Sequence, residues 1–307
     1  MFFLQILLLI VGFIMLVKGA DWFVEGASGI ARKMGIPQLV VGLTIVAMGT
    51  SAPEAAVSIT AALKGNAGIT IGNVVGSNIL NILIILGLTA LIRACLIQKS
   101  TLLIEMPFMI LVTVVLLLMG KTGGMVTRVE GIILWVLFIA YLAYLFVLAR
   151  KGKADEEAEE RPVWKLLIFA VFGGALVVWG SDVTVDSATY IAEAAGLSQR
   201  FIGLTIVAFG TSLPELVTSL VAAKKGNSDI AIGNIVGSNI FNILFVVGTS
   251  ACIIPILFEA NFVIDALVAI FTAALLWVAV AKTRKLTYSW GIVMLITYAI
   301  YFMYLIS

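Results

Sequence analysis

Residues 42–87 read GLTIVAMGTSAPEAAVSITAALKGNAGITIGNVVGSNILNILIILG, and residues 203–248 read GLTIVAFGTSLPELVTSLVAAKKGNSDIAIGNIVGSNIFNILFVVG. At a constant offset of 161 positions and with no gap, 30 of these 46 positions are identical. Each copy holds one glutamate, Glu54 or Glu215, in an apolar stretch that a proline interrupts. Because ionisable groups are costly inside a membrane, they mark a transport pathway by default. The duplication therefore predicts a pseudo-symmetric transporter with an ion site between its halves.

The composition is that of a membrane protein. Of the 307 residues, 62% are hydrophobic and 12% are charged, and the mean hydropathy is +1.17. Soluble domains average about 45–50% apolar and about 25% charged residues. The first apolar run, FFLQILLLIVGFIMLV, has no charged segment before it and no small-residue cleavage site after it. We therefore expect a retained helix there and not a signal peptide.

Ten apolar segments of near-spanning length predict an all-α polytopic membrane protein with ten transmembrane helices. Residues 1–149 form the first predicted repeat of five helices, residues 150–162 a charged linker, and residues 163–307 the second repeat. Because five is odd, the second half starts from the opposite side, and the two repeats are expected to be inverted. The predicted helices cover residues 3–27, 37–64, 70–92, 103–119, 126–149, 163–191, 200–225, 230–253, 261–280 and 288–305.

The distribution of Lys and Arg predicts the orientation in the cell membrane. With the amino terminus outside, fourteen of these 19 residues fall in inside loops, four fall in outside loops, and Lys18 lies within the first helix. The positive-inside rule therefore favours two extracellular termini and a cytoplasmic linker. The predicted inside residues are Arg32, Lys33, Arg93, Lys99, Arg150, Lys151, Lys153, Arg161, Lys165, Lys224, Lys225, Lys282, Arg284 and Lys285, and the outside residues are Lys64, Lys121, Arg128 and Arg200.

The segments GTSAPE and GTSLPE predict a broken helix in each half. Pro53 cannot donate a backbone hydrogen bond and clashes with the carbonyl group of Gly49, and Pro214 stands in the same relation to Gly210. Backbone freed at mid-membrane is tolerable only where it faces protein or lines a cavity. The oxygens expected to gather there are the carbonyl groups near Ala47, Thr50, Ala208 and Thr211, the hydroxyls of Ser51 and Ser212, and the carboxylates of Glu54 and Glu215.

Such an all-oxygen cluster suits hard cations such as calcium and sodium. Histidine is absent from the chain, which excludes imidazole ligands and Ser-His-Asp chemistry. Two carboxylates supply a charge of at most −2, which balances one divalent or two monovalent ions. Calcium and sodium would therefore compete at one site.

The second part of each copy is GNVVGSNILNI or GNIVGSNIFNI. Ser77 and Asn81 are four residues apart and share one helix face, as do Ser238 and Asn242. These side chains could face the glutamates across the repeat interface, or they could link packed helices.

Four further acids recur at the same offset, near the ends of the first helix of each half. They are Asp21, Glu25, Asp182 and Asp186. Charged groups near helix ends can reach water at the membrane surface. A role as interfacial residues and a role in an ion vestibule both remain open at this point.

With GTSAPE and GTSLPE, each followed by a GSN-x-x-N block, the chain resembles the cation/calcium exchanger superfamily, and specifically prokaryotic sodium/calcium exchangers. The resemblance extends over essentially the whole chain. It implies electrogenic exchange of sodium for calcium by alternating access, with the first helix of each half sliding to switch access. It implies a transporter and not an enzyme, with no cofactor, no nucleic acid, no obligate protein partner, and only the two ions and the lipid bilayer as partners.

The same resemblance assigns roles to residues of this chain. It makes Glu54 and Glu215 carboxylate ligands for both ions, and it gives Thr50 and Thr211 carbonyl groups to calcium. The flanking sodium sites would use the carbonyl groups of Ala47 and Ala208 and the hydroxyls of Ser51, Ser212, Ser77 and Ser238, with Asn81 and Asn242 at the centre. Potassium-dependent relatives tend to carry Asp at the position of Asn242, so no potassium requirement is expected.

Two other transport functions remain open from the residues alone. A calcium/proton antiporter would protonate Glu54 and Glu215 in place of sodium binding. A cation channel would also use symmetric broken helices, although a closed site with two glutamates favours slow, saturable exchange. An intramembrane hydrolase lacks support, because neither Ser51 nor Ser212 has a histidine partner.

Overall fold

The computed structural model describes residues 2–65, 68–151, 161–194 and 208–306. Within these ranges the chain is almost entirely helical. The helices are α1 (Phe2–Met34), α2 (Gln38–Thr50), α3 (Ala52–Leu63), α4 (Gly68–Ile92), α5 (Thr101–Gly123), α6 (Arg128–Lys151), α7 (Val163–Ala194), α8 (Ala208–Thr211), α9 (Leu213–Lys224), α10 (Ser228–Ile253), α11 (Ala260–Ala281) and α12 (Tyr288–Ile306).

The predicted class, a helical polytopic membrane protein, is confirmed for the described residues. Eight of their helices are long and apolar enough to cross a membrane, and the bent pair α2 and α3 makes a ninth if it counts as one span. The predicted helix over 200–225 begins outside the described residues, and its second part is present as α8 and α9.

The predicted helix ends are shifted by a few residues, and most of all in α1. This helix ends at Met34 and not at residue 27. Its extension is held by tertiary contacts, because the carbonyl group of Ser28 accepts a hydrogen bond from the side chain of Gln38 over 3.1 Å. Gly35 then stops the helix with a φ of +68°, a left-handed conformation that glycine adopts readily at helix ends.

The helix break predicted from GTSAPE is present. Helices α2 and α3 bend by 50° across Ser51, which has φ −81° and ψ 9°. Pro53 follows as the second residue of α3, where its missing N–H group costs no helical hydrogen bond. In the other half Ser212 separates α8 from α9 with a similar φ of −91° and ψ of 5°, and Pro214 follows it.

Within the described ranges four helices contain a π-helical turn, which is a wider turn that often lies at functional sites. Asn81 opens one of these turns in α4 and Asn242 opens one in α10. Both helices lie at the centre of the fold, and α10 is almost completely buried. The repeated segments therefore supply the core of the protein.

Two short β-ladders correct the expectation of a purely α-helical chain. Strand β1 (Cys95–Leu96) pairs with β4 (Lys285–Leu286), and β2 (Met125–Val126) pairs with β3 (Ile256–Leu257), both antiparallel. Each ladder joins a loop of the first half to a loop of the second half. Such brief strands depend on which loops meet in space, so local sequence patterns do not reveal them.

Helices α1 and α7 pack backbone against backbone. A Cβ atom at Gly26 would lie 2.4 Å from the backbone nitrogen of Ala170, and one at Gly19 would lie 2.8 Å from that of Val177. Only glycine allows such a close approach, as is common where membrane helices cross. The two helices therefore form one tightly packed pair.

Candidate ion-binding site

The two helix breaks lie close together, and the serine at each break forms a hydrogen bond with the glutamate of the opposite half. Ser51 Oγ donates a hydrogen bond to Glu215 Oε1 over 2.7 Å, and Ser212 Oγ donates to Glu54 Oε1 over 3.1 Å. Glu54 is 1% exposed and Glu215 is 0% exposed. Residues 161 positions apart thus form one buried polar centre.

The breaks place both glutamates at helix amino termini. Glu54 is the third residue of α3, and Glu215 is the third residue of α9. The free N–H groups and the positive end of a helix dipole favour negative charge at this position. The broken helices therefore lower part of the cost of burying two carboxylates, and an unbroken helix could not do so.

Two asparagines hold the backbone that carries these glutamates. The amide nitrogen of Asn73 donates to the carbonyl group of Glu54 over 3.2 Å and to Ser58 Oγ over 2.9 Å. Asn234 makes the corresponding contacts, to the carbonyl group of Glu215 over 3.5 Å and to Ser219 Oγ over 3.0 Å.

Asparagine amides also connect α4 and α10 at the centre. Asn81 Nδ2 donates to Asn239 Oδ1 over 3.0 Å, and Asn242 Nδ2 donates to Asn78 Oδ1 over 3.2 Å. Each donation uses the NH₂ group and leaves the carbonyl oxygen of Asn81 or Asn242 without a donor. The oxygens of the central pair are therefore free to accept.

Four buried carboxylate and amide oxygens at this centre have no hydrogen-bond partner within the described residues. They are one oxygen of each glutamate, Oε2 of Glu54 and Glu215, and the amide oxygens of Asn81 and Asn242. A buried acceptor without a donor is costly, and native proteins rarely leave one. Oxygen atoms of this kind are the ligands that hard cations prefer. The arrangement has the chemistry of a cation site with a charge of −2.

An open cavity of about 360 Å³ borders the site on one side. Pro53 and Thr211, which flank the two helix breaks, line this cavity. Asp182 and Asp186 of α7 also line it. The cavity therefore brings solvent-accessible space and two acids close to the breaks.

The chain matches a known family along almost its whole length. The family described as sodium/calcium exchanger protein matches residues 4–147 and 165–307. The chain belongs to the sodium/calcium exchanger family. This conclusion agrees with the resemblance inferred from the two GTS-x-PE segments.

Relatives within the sodium/calcium exchanger family match over most of their length. The putative antiporter CaxA of Alkalimonas amylolytica is 42% identical over 260 residues, covering 82% of this chain and 81% of that protein. The sodium/calcium exchanger MaX1 of Methanosarcina acetivorans is 33% identical over 291 residues, covering 81% and 83%. A structure of the sodium-calcium exchanger NCX_Mj, soaked with zero Na⁺ and Ca²⁺, has 33% identity and a TM-score of 0.88 over 99% of this chain and 100% of that one.

In this family member most of the predicted site residues lie together. Ser77 Oγ is 3.4 Å from Ser212 Oγ, and Ser238 Oγ donates to the carbonyl group of Ala47 over 3.4 Å. That carbonyl group also accepts a hydrogen bond from the backbone N–H of Ser51 over 3.0 Å. The break therefore does not leave it free, contrary to the prediction.

The predicted threonines and the second alanine lie at the ends of the short helices. Thr50 is buried and its hydroxyl donates to Asn234 Oδ1 over 3.0 Å. The hydroxyl of Thr211 has no hydrogen-bond partner among the described residues. Ala208 is the first described residue of α8, which ends at Thr211.

The sequence analysis missed the asparagines that support the site. Asn73, Asn78, Asn234 and Asn239 all take part in hydrogen bonds around the glutamates and the central amides. One signal could have found them, because each is identical in the two copies of the repeat.

Other metal chemistry has no support in the described parts of the chain. Nowhere in them do three or more His, Cys, Asp or Glu side chains gather closely enough to hold a metal ion. A cation at this centre would depend on two carboxylates and on neutral oxygens.

Proposed function

We propose that this protein exchanges sodium for calcium across the cell membrane at one site shared by both ions. The observation that carries the proposal is the set of four unpartnered acceptor oxygens on Glu54, Glu215, Asn81 and Asn242, two from each half. Calcium takes oxygen ligands from carboxylates and amides. The names of MaX1 and NCX_Mj, both sodium/calcium exchangers, support the same pair of ions.

The charge of the site explains why the ions compete. Two carboxylates balance one calcium ion or two sodium ions, so both occupants cannot be bound together without excess positive charge. Exchange becomes electrogenic when the neutral oxygens next to the carboxylates hold further sodium. In this proposal Ser51, Ser212, Ser77, Ser238 and the carbonyl groups of Ala47 and Ala208 serve sodium, whereas the carbonyl groups of Thr50 and Thr211 serve calcium.

The neutral side chain of Asn242 supports exchange without potassium. An aspartate there would raise the charge of the site to −3 and leave one negative charge unbalanced beside calcium. With asparagine in both halves, at positions 81 and 242, the site is balanced by calcium alone.

The protein is further proposed to consist of two inverted repeats of five helices, residues 1–149 and 163–307, joined by the linker 150–162. The β-ladders support the inversion. At the offset of 161, β1 of the first half corresponds to β3 of the second half. These two corresponding strands lie in different ladders, because β1 pairs with β4 and β3 pairs with β2. The two ladders lie at opposite ends of α5, so corresponding loops lie on opposite sides.

Contacts between loops support an orientation with extracellular termini. Lys33 donates to the carbonyl group of Arg161 over 3.0 Å, and Gly226 lies against the guanidinium group of Arg93. All these loops carry residues that the positive-inside rule assigns to the cytoplasm. At the other end Arg128 donates to the carbonyl group of Ile253 over 3.1 Å.

Alternating access is proposed to involve α1 and α7 moving together. Their close glycine contacts join them to each other, and the open cavity beside α7 lies next to the helix breaks on one side. Sodium bound on one side and calcium bound on the other would then cross in separate steps.

Radiolabelled calcium uptake tests the proposal. Proteoliposomes loaded with sodium are diluted into sodium-free buffer, and matched vesicles carry a proton gradient alone. We expect uptake only with internal sodium, and its loss in Glu54→Gln. Glu259→Gln is the matched control, because Glu259 is exposed and lies in the loop just before α11, outside both GTS-x-PE segments.

The outcome distinguishes the candidate functions. Uptake driven equally by the proton gradient would assign the protein to calcium/proton antiport. Conduction of calcium that continues without any ion on the opposite side would indicate a channel. Either result would overturn sodium/calcium exchange.

A further inference from the structure

Two acids in α1 form an ion-pair cluster with basic residues from elsewhere in the chain. Lys225 Nζ lies 2.6 Å from Asp21 Oδ1 and 3.6 Å from Glu25 Oε2, and it donates to the carbonyl group of Asp21 over 2.9 Å. Arg161 pairs with Glu25 as well. We call Asp21, Glu25, Lys225 and Arg161 the inner cluster. It connects α1 to the end of α9 and to the end of the linker.

The corresponding acids in α7 are arranged differently. Asp182 and Asp186 match Asp21 and Glu25 at the offset of 161, and both line the open cavity of about 360 Å³. Neither has an ion pair within the described ranges. Lys64, which matches Lys225, is exposed and also has no ion pair there. We call Asp182, Asp186 and Lys64 the outer set.

The helices that carry these residues also differ in packing. Helix α1 packs on α9, where Val217 and Val221 pack against a buried cluster that contains Leu16 and Ala20 of α1. Helix α7 does not cover α3 in the same way. Val57 of α3 is 43% exposed, whereas its counterpart Thr218 of α9 is 0% exposed.

The open space continues along α3 as far as Lys64. A second cavity of about 460 Å³ is lined by Thr60 and Lys64, and it shares Ala56 and Val57 with the first. The face of α3 that corresponds to the covered face of α9 is therefore exposed from Pro53 to Lys64.

We infer that the inner cluster and the outer set form alternately as access to the site switches. In the present structure the inner cluster holds α1 on α9 and closes the cytoplasmic side. In the opposite state α7 packs on α3, Lys64 pairs with Asp182 and Asp186, and the inner cluster separates. This inference rests on the proposed alternating access, and it assigns to the four acids a role that neither an interfacial nor a vestibule position requires.

The exposure of the inner cluster suits a contact that must break in every cycle. The side chains of Lys225 and Asp21 are 30% and 39% exposed, so water can replace each partner. Exposed ion pairs contribute little to stability. Such pairs can shift the equilibrium between the two access states and still leave both states populated.

The first test measures which state is populated. Val57→Cys is introduced with Cys95→Ser and Cys252→Ser, and its alkylation by a water-soluble maleimide reports exposure of the α3 groove. Lys225→Gln is expected to lower the ratio of open to closed groove by about threefold to fivefold. Lys224→Gln, the adjacent exposed lysine, removes the same charge and is expected to change nothing. Equal alkylation in these two variants would overturn the inference.

The second test asks whether the outer set assembles. Lys64→Cys and Asp182→Cys are combined in the same background and treated with a bifunctional thiol reagent whose spacer matches a lysine side chain. Cross-linking is expected while sodium and calcium gradients drive turnover. The control pair, Lys64→Cys with Lys121→Cys, should cross-link more slowly. If no cross-link forms under any ion condition, α7 does not close on α3 as inferred.

Failure of this inference differs from failure of the proposed exchange. The uncross-linked parent variants are assayed for sodium-driven calcium uptake. Normal uptake with unchanged alkylation and no cross-link would reject only the alternating ion pairs. Absent uptake in the unmodified protein would reject the exchange activity itself, whatever the alkylation shows.

Discussion

Asn78 and Asn239 hold each other's backbone across the centre of the protein. The side-chain amide of Asn78 donates to the carbonyl group of Asn239 over 3.1 Å, and that of Asn239 donates to the carbonyl group of Asn78 over 3.1 Å. Both are buried and 161 positions apart. Because each also accepts from Asn242 or Asn81, this reciprocal pair positions the amides whose free oxygens face the proposed ion site.

Replacing Asn78 by alanine should therefore cost stability. Asn78→Ala leaves the NH₂ group of Asn242 without its partner and removes the side-chain hydrogen bond to the carbonyl group of Asn239, and an unsatisfied buried group costs about 1–3 kcal/mol. We expect a lower melting temperature in detergent and weaker calcium binding. Asn227→Ala is the control, because it removes one half-buried hydrogen bond, to Ser28 Oγ. An equal effect of both variants would contradict the role of the pair.

The crossed serines should affect sodium more than calcium. Ser51→Ala and Ser212→Ala each remove a hydroxyl that we propose as a sodium ligand and that donates to a glutamate of the other half. Hydrogen bonds to charged groups contribute about 1.5–3 kcal/mol, and 1.4 kcal/mol is about tenfold in affinity. The sodium concentration for half-maximal calcium release should rise about tenfold, with a smaller change in calcium affinity.

Ser250 supplies the control for this prediction. Its hydroxyl is buried and has no partner among the described residues, and it lies in the last turns of α10 beyond the site. Ser250→Ala should leave both ion dependences unchanged. A parallel loss of sodium and calcium affinity in Ser51→Ala would count against a separate sodium role.

The helix break could be predicted from the sequence because its cause is local. Pro53 and Pro214 lack a backbone N–H group whatever the tertiary structure around them. The duplication also identifies Glu54 and Glu215 as candidate ligands. The partner of each glutamate could not be predicted in the same way. Ser51 is only three residues from Glu54, yet it bonds to Glu215, and that choice depends on how the halves pack.

The central asparagines show a different limit. Side chains four residues apart share a helix face, and this spacing predicted Ser77 and Asn81 as site residues but not Asn78. In the structure Asn78 and Asn239 lie in regular helix, before the π-helical turns that open at Asn81 and Asn242, and they meet across the interface between α4 and α10. Identity between the two copies was the better guide, since it included Asn78 and Asn239.

The close contact of α1 and α7 predicts a strict requirement for glycine. In Gly26→Ala the added Cβ would lie 2.4 Å from the nitrogen and 2.9 Å from the Cα of Ala170, so the backbones must separate. We expect a lower melting temperature and slow calcium exchange with near-normal calcium binding at equilibrium. Gly123→Ala at the end of α5 has no described atom within 4 Å of its Cβ and should behave as the parent. Normal exchange by Gly26→Ala would show that the pair need not move as one unit.

The two cysteines should differ in reactivity. Cys95 lies in strand β1, outside the spanning helices, and burial raises the pKa of its thiol to about 11. The thiolate is the reactive form, so the raised pKa keeps Cys95 protonated and slow to react until the pH nears 11. Cys252 is only partly buried. At pH 7.5 a maleimide should modify the Cys95→Ser variant faster than Cys252→Ser, as measured by mass spectrometry, and the reverse order would contradict the burial of β1.

The charge of the central position should decide the response to potassium. Asn242→Asp adds a third carboxylate beside Glu54 and Glu215, so calcium alone no longer balances the site. We expect sodium-driven calcium uptake to be insensitive to potassium in the parent and stimulated by it in Asn242→Asp. Asn242→Ala is the matched control, because it removes the hydrogen bond to Asn78 without adding charge, and it should lose activity at every potassium concentration. Potassium stimulation of the parent protein would show that neutral asparagines at positions 81 and 242 do not make exchange independent of potassium.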